Sequence, residues 1–200
     1  MAIKGLRGFR YCKITEDTES TLTYDTNIKK LTGARNIKIS PKVNTGELYG
    51  DDQLLETECA IGAIEVEVDV AELTLEEQAD LLGYEYSNGV LKESKNFNPP
   101  YISFGFEAPK SNGATRMQWL LKGKAEPLEE EGKTKEDKIE FQTQKIKLKF
   151  MPRINDGRPK FKADTDLEGA PTIEEFFSVN FLKTGEKTQR SEEHTSELQS

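Results

Sequence analysis

The sequence predicts a mainly β protein, a sandwich or barrel flanked by one α-helix, and three observations carry that expectation. Apolar and polar residues alternate in many short runs, a single segment has helix signals at both ends, and no βα units repeat. The 200 residues, 34% of them hydrophobic, suffice for one good core and are short for two ordinary domains.

A first pair of strands is expected over 9–14 and 20–24, around a polar turn. The run 34–40 alternates and should stop at Pro41, which has no N–H to give to a ladder. A turn-rich stretch over 44–52 follows. Then comes the cleanest alternation of the chain, with Ile64, Val66, Val68 and Val70 on one face and Glu65, Glu67 and Asp69 on the other.

Thr74 and Glu77 have the spacing of a capping box, Leu75, Ala79 and Leu82 line one face, and Gly83 offers a left-handed stop. These features predict a short helix lying against the sheet. The chain should turn at Ser87-Asn88-Gly89, loop at Asn98-Pro99-Pro100, and resume as a strand over 101–106. Two further strands, 115–121 and 139–143, flank a loop over 123–137 that is almost wholly charged and much longer than a hairpin needs. Ile139 and Phe141 are out of phase with Ile146, Leu148 and Phe150, so a bulge is expected near Gln144. Asn155-Asp156-Gly157 signals a tight turn, 160–162 a return strand, and 172–177 a short helix behind Pro171.

The net charge of −8 disfavours tight binding to a phosphate backbone or an anionic membrane. No apolar run approaches the span of a bilayer, and residues 1–8 lack the apolar core of a signal peptide, so a cytosolic site of synthesis is expected. Cys12 and Cys59 are then expected as free thiols. Residues 190–200 match the translation of a common sequencing adapter and are set aside, leaving 1–189 as a single expected domain.

The adapter-like segment contains the only histidine, His194, so no imidazole-dependent serine, cysteine or zinc site can be built from the rest. The carboxylates of Asp51, Asp52, Glu129, Glu130 and Glu131 sit among polar neighbours that would not raise a pKa, and no phosphate-binding glycine motif occurs. No catalytic residue and no cofactor is expected. Asp164, Asp166, Glu168 and Glu175 fall at positions one, three, five and twelve of a calcium loop. A strand rather than a helix precedes them, and Pro171 interrupts the loop, which favours a solvated acidic turn.

Glu65, Glu67 and Asp69 make one acidic row, and Lys145, Lys147 and Lys149 make a basic one. Such rows either form solvated outer faces paired across strands or line a subunit boundary or channel wall.

Four strings carry a family resemblance: Glu47-Leu48-Tyr49-Gly50-Asp51-Asp52, Ile64-Glu65-Val66-Glu67-Val68, Trp119-Leu120-Leu121-Lys122-Gly123-Lys124, and Thr134-Lys135-Glu136-Asp137-Lys138-Ile139-Glu140-Phe141-Gln142-Thr143. In this order they resemble the major tail tube proteins of long-tailed, non-contractile bacteriophages and prophages, especially of Gram-positive hosts. The similarity runs from about Arg10 to Phe177; Gly50 stands where alanine is more usual, and the C-terminal end is lost to the adapter.

The resemblance implies hexameric rings that stack into a virion tail tube, assembled in the host cytoplasm and conducting DNA in transit. It also implies tape measure and tail terminator proteins as further partners. Within it, the loop residues Lys124, Glu129, Glu130, Glu131, Lys133 and Lys135, together with an N-terminal arm over 1–9, are candidates for ring-to-ring contacts. Glu65, Glu67 and Asp69 are candidates for an electronegative lumen. The alternatives are a β-sandwich binding or adhesion module, a carboxylate-dependent hydrolase, or a tube subunit of a bacteriocin, gene transfer agent or secretion system.

Overall fold

The computed structural model of the chain describes residues 2–50, 53–129 and 143–187, without the side chains of 44 and 46–61. The strands are β1 (Arg7–Asp17), β2 (Leu22–Tyr24), β3 (Lys29–Lys30), β4 (Ala34–Gly50), β5 (Gln53–Val70), β6 (Glu85–Ser87), β7 (Val90–Lys92), β8 (Ile102–Pro109), β9 (Thr115–Ala125), β10 (Gln144–Met151) and β11 (Lys160–Asp164). The helices are α1 (Leu75–Leu82), α2 (Ile173–Phe176) and α3 (Val179–Thr184). The protein is therefore mainly β, with few and short helices.

One large antiparallel sheet runs β2-β1-β8-β9-β10-β5-β4, with β3 added to β1 and β11 to β9. Strand β9 is the junction. One of its edges takes β8, and the other takes β11 along 116–120 and then β10 along 122–125. Strand β10 in turn lies along β5 from residue 144 to 150.

Two apolar clusters result. The first joins Ile64, Val66, Val68 and Val70 of β5 and Ile146, Leu148 and Phe150 of β10 to Tyr11, Phe104 and Phe106. Both halves of the sheet feed this cluster, so β10, β5 and β4 fold across one face of β1, β8 and β9. The opposite face of β1 and β9 carries Cys12, Met117, Trp119 and Leu121, which pack under Phe176, Phe177, Phe181 and Leu182 of the C-terminal helices. Coverage on both sides explains why every residue of β8 from Ile102 to Ala108 is buried.

Close packing between strands depends on two glycines. Gly105 lies opposite Trp119 on β9, and Gly123 lies opposite Phe150 on β10. A Cβ on Gly105 would stand 2.6 Å from the Trp119 ring, and one on Gly123 2.5 Å from the Phe150 ring. The bare backbone thus makes room for the two aromatics.

The capping box of α1 forms as its spacing predicts: Glu77 N–H donates to Thr74 Oγ1 at 3.2 Å, and Thr74 N–H to Glu77 Oε2 at 3.0 Å. Gly83 ends the helix at φ 74°. The buried face is different from the expected one, because Gln78, Leu81 and Leu82 go inward while Leu75 is 43% exposed. The helix docks by its last turn, where Asp80 meets Tyr11 and Lys13 of β1. Helix α2 forms within the short helix expected over 172–177, and α3, which the sequence reading did not place, follows it directly; both cover the second cluster.

Three further expectations change. Strand β4 continues through Pro41, which sits at a register shift on a strand that ends the sheet, where a missing N–H costs no ladder bond. The stretch over 44–50, expected as turns, is strand paired to 53–60. Strand β11 joins β9 instead of folding back on β10. The expected strand over 139–142 lies outside the described residues.

Candidate functional site

The two charged rows lie side by side. Lys145, Lys147 and Lys149 stand directly opposite Asp69, Glu67 and Glu65, and β4 places Asn36, Lys38 and Ser40 along the other flank of the same acids. Alternation fixes this arrangement locally, because the inward residues of β5 and β10 are buried apolar side chains and every second residue must then face out.

Glu65 is bound by Lys42 Nζ at 2.5 Å, and that cation holds its carboxyl below the usual range. Lys147 Nζ reaches Glu129 Oε1, also at 2.5 Å; this pairing raises the amine and lowers the acid. Asn36 Nδ2 donates weakly to Asp69 at 3.5 Å. Lys145, Lys149 and Glu67 have no ion pair with any described residue. The three residues expected to line a lumen, Glu65, Glu67 and Asp69, thus share one outward face of β5, between β4 and β10. On this face the three acids stand with Glu126 and Glu129 among six lysines, 38, 42, 124, 145, 147 and 149, so charges of both signs are mixed across it.

The assembly-loop candidates divide. Lys124 belongs to β9, not to a loop; its amine donates to Asn98 Oδ1 at 3.1 Å and lies 4.5 Å from the centre of the Tyr101 ring. Glu129 is tied to Lys147. Glu130, Glu131, Lys133 and Lys135 lie outside the described residues. The N-terminal arm is shorter than expected, since β1 begins at Arg7 and the preceding residues bond to the β8–β9 turn through Lys4 N–H to Pro109 O at 2.8 Å and Ser111 N–H to Ala2 O at 2.9 Å.

The largest departure from the sequence reading is the β4–β5 hairpin. Residues 64–70 of β5 pair on both sides, to β4 and to β10, whereas 43–50 and 53–61 pair only with each other. Eight successive pairs project beyond the sheet, a reach of about 25 Å at strand rise. The signal available in sequence was the alternation beyond Pro41, which the glycines and asparagine of 44–50 obscured.

Three of the four calcium-like acids, Asp164, Asp166 and Glu175, are engaged elsewhere. Arg116 Nε and Nη2 each donate to Asp164 at 2.8 Å, Lys110 Nζ lies 2.8 Å from Asp164 and 2.9 Å from Asp166, and Glu175 closes the capping box of α2. Arg116 first and then Lys110 hold the Asp164 carboxyl far below its ordinary range. Among the described residues no group of three or more potential ligands could hold a metal ion.

Two hollows of about 300 and 330 Å³ are lined by Gln78, Tyr84, Glu93 and Leu128 in one case and by Arg35, Asn36, Asp69 and Thr143 in the other. Each contains one carboxylate, whereas acid–base hydrolysis uses two in unlike surroundings. No described helix is long and apolar enough to cross a membrane.

Sequence reasoning also missed the ion pairs and hydrogen bonds by which charged side chains tie separate elements together. Lys122 Nζ donates to Asp17 Oδ2 at 2.6 Å, and Asp17 accepts the backbone N–H groups of Ile154 and Asn155 at 2.9 and 3.1 Å. Arg153, 1% exposed, joins Asp156, Tyr24 and the Leu182 carbonyl. Glu107 receives both Arg7 and Arg10. Compared with models of known protein families and with curated proteins, the chain matches none.

Proposed function

We propose that this chain is the tube-forming subunit of a phage-type tail, a sandwich- or barrel-like β domain whose copies close into hexameric rings and stack into a conduit for DNA. The observation that carries the reading is the projecting β4–β5 arm. An isolated two-stranded ribbon is marginal in water, so an arm of eight pairs with no partner strand in the described chain is best completed by another subunit. Strand β4 also ends the sheet and leaves one edge of its ladder open, which a neighbouring copy can use. A head-to-tail contact of this kind closes a ring when its rotation permits.

The rival binding or adhesion module would present a platform of aromatic side chains. Among the described residues, Tyr86 is the only aromatic in the group of large exposed hydrophobic side chains. Electron microscopy and light scattering of residues 1–189 test the proposal. Rings or tubes are expected, and a monomer at high concentration overturns it. Replacing residues 44–60 by a two-residue turn should leave the sheet folded and abolish assembly.

A further inference from the structure

We infer that Asn88 is a site of spontaneous covalent modification, at which the side-chain amide is lost and the β6–β7 turn acquires an aspartate or isoaspartate link. The chain contains two Asn-Gly pairs, Asn88-Gly89 and Asn112-Gly113, and each follows a serine. Glycine after asparagine leaves the next backbone nitrogen unshielded, because no Cβ stands beside it. Sequence therefore gives the two sites the same chemistry, and the fold separates them.

Asn112 is held at each group that would react. Its Nδ2 donates to Asp166 Oδ2 at 3.0 Å and its Oδ1 accepts the Ala114 N–H at 3.2 Å. The Gly113 N–H, whose nitrogen would be the nucleophile, donates to Lys110 O at 3.3 Å. This turn joins β8 to β9, two long strands inside the large sheet. Asn88 and Gly89 are exposed, and among the described residues neither the Asn88 carboxamide nor the Gly89 N–H has a hydrogen bond.

Backbone support differs in the same direction. Strands β6 and β7 form a small sheet of their own, paired at Glu85 and Lys92, Tyr86 and Leu91, and Ser87 and Val90. Tyr86 and Val90 are exposed, so little apolar burial holds the hairpin shut. A two-stranded ribbon of this kind is marginal in water and opens locally at small cost. Opening releases Asn88 from its left-handed φ of 53° and lets the Gly89 nitrogen swing onto the side-chain carbonyl carbon.

The step balances with water alone. The Gly89 N–H gives its proton to hydroxide or a buffer base, the nitrogen bonds to Asn88 Cγ, and the Cγ–Nδ2 bond breaks to release ammonia. Water then opens the resulting succinimide ring at either carbonyl. One opening leaves aspartate, and the other routes the main chain through the side chain, which lengthens the turn by a methylene. Both add a negative charge to a hairpin that already contains Glu85. The longer link also disturbs the pairing of Ser87 with Val90.

Incubation of the full chain in mildly alkaline heavy-oxygen water, with and without urea, tests the assignment by digestion in acid and mass spectrometry of the two peptides. In the folded protein Asn88 should convert at least about tenfold faster than Asn112, and in urea the two rates should come within about threefold of each other. Conversion should quicken as pH rises, because the Gly89 nitrogen must lose its proton. The Asn88→Gly variant, whose Gly-Gly pair suits the same turn, should lose the more acidic species that the unchanged chain develops on ion exchange. A smaller ratio between the sites in the folded protein overturns the assignment, as does conversion of folded Asn88 at less than about one hundredth of its rate in urea. Neither result bears on the tube reading, which assembly alone decides.

Discussion

Lys122 and Asp17 form an ion pair at 2.6 Å, with their side chains 5% and 3% exposed. It joins the end of β1 to β9, and through the Ile154 and Asn155 N–H groups it also fixes the turn between β10 and β11. Removing one partner strands a charge in the interior, which costs far more than the intact pair contributes. Asp17→Ala should therefore destabilise the fold by about 3–5 kcal/mol. Adding Lys122→Met should recover part of that loss, as read by urea unfolding of the single and double variants.

Acid should weaken the protein through a defined set of carboxylates. Burial pushes Asp17 and Asp80 up, but the Ile154 N–H and Lys122 for the one, and Lys13 and Lys29 for the other, outweigh it and leave both below their ordinary value of 3.8. Arg116 lowers Asp164 in the same direction. The unfolded chain then binds more protons than the folded one, so stability is complete above the ordinary value and is lost as pH falls through the depressed ones. The urea midpoint should be flat above about pH 5 and decline below about pH 4, and Asp80→Asn should make that decline shallower.

The two glycine and aromatic contacts predict a further cost. Gly105→Ala and Gly123→Ala each force a methyl group against a fully buried ring, Trp119 or Phe150. Each should cost about 1–3 kcal/mol, and the thermal midpoint should fall by about 2–4 °C for each kcal/mol. The Gly89→Ala variant adds a methyl group into open space, although its φ of 78° carries a backbone penalty. It should be the mildest of the three.

Cys12 is fully buried, and burial, with Asp25 adding to it, pushes its thiol up to about 12. Reactivity belongs to the thiolate, so alkylation of Cys12 should be slower in native protein than in urea by at least about 100-fold. Peptide mass spectrometry after timed iodoacetamide exposure checks this at Cys12 alone.

Much of the fold was legible in the residues themselves. The alternation of Ile64 to Val70 gave the inward and outward faces of β5, and Thr74, Glu77 and Gly83 marked both ends of α1. Asn88 and Gly89, at φ 53° and 78°, turn the chain between β6 and β7 where the sequence places a turn. Less was legible where local signals competed. Pro41 looked like an end and proved a bulge on an edge strand, and α3 is too short for its periodicity to stand out.

The charged rows mark the division most clearly. Sequence by itself determined that Glu65, Glu67 and Asp69 share one face of a strand and that Lys145, Lys147 and Lys149 share another, because side chains alternate in any β-strand. Only the tertiary structure decided that the two rows are neighbours in register, and that the hairpin beyond them has no partner strand among the described residues. The physical reason is that strand order and register between distant segments are set by how the whole sheet buries its apolar side. Local periodicity carries no record of that choice.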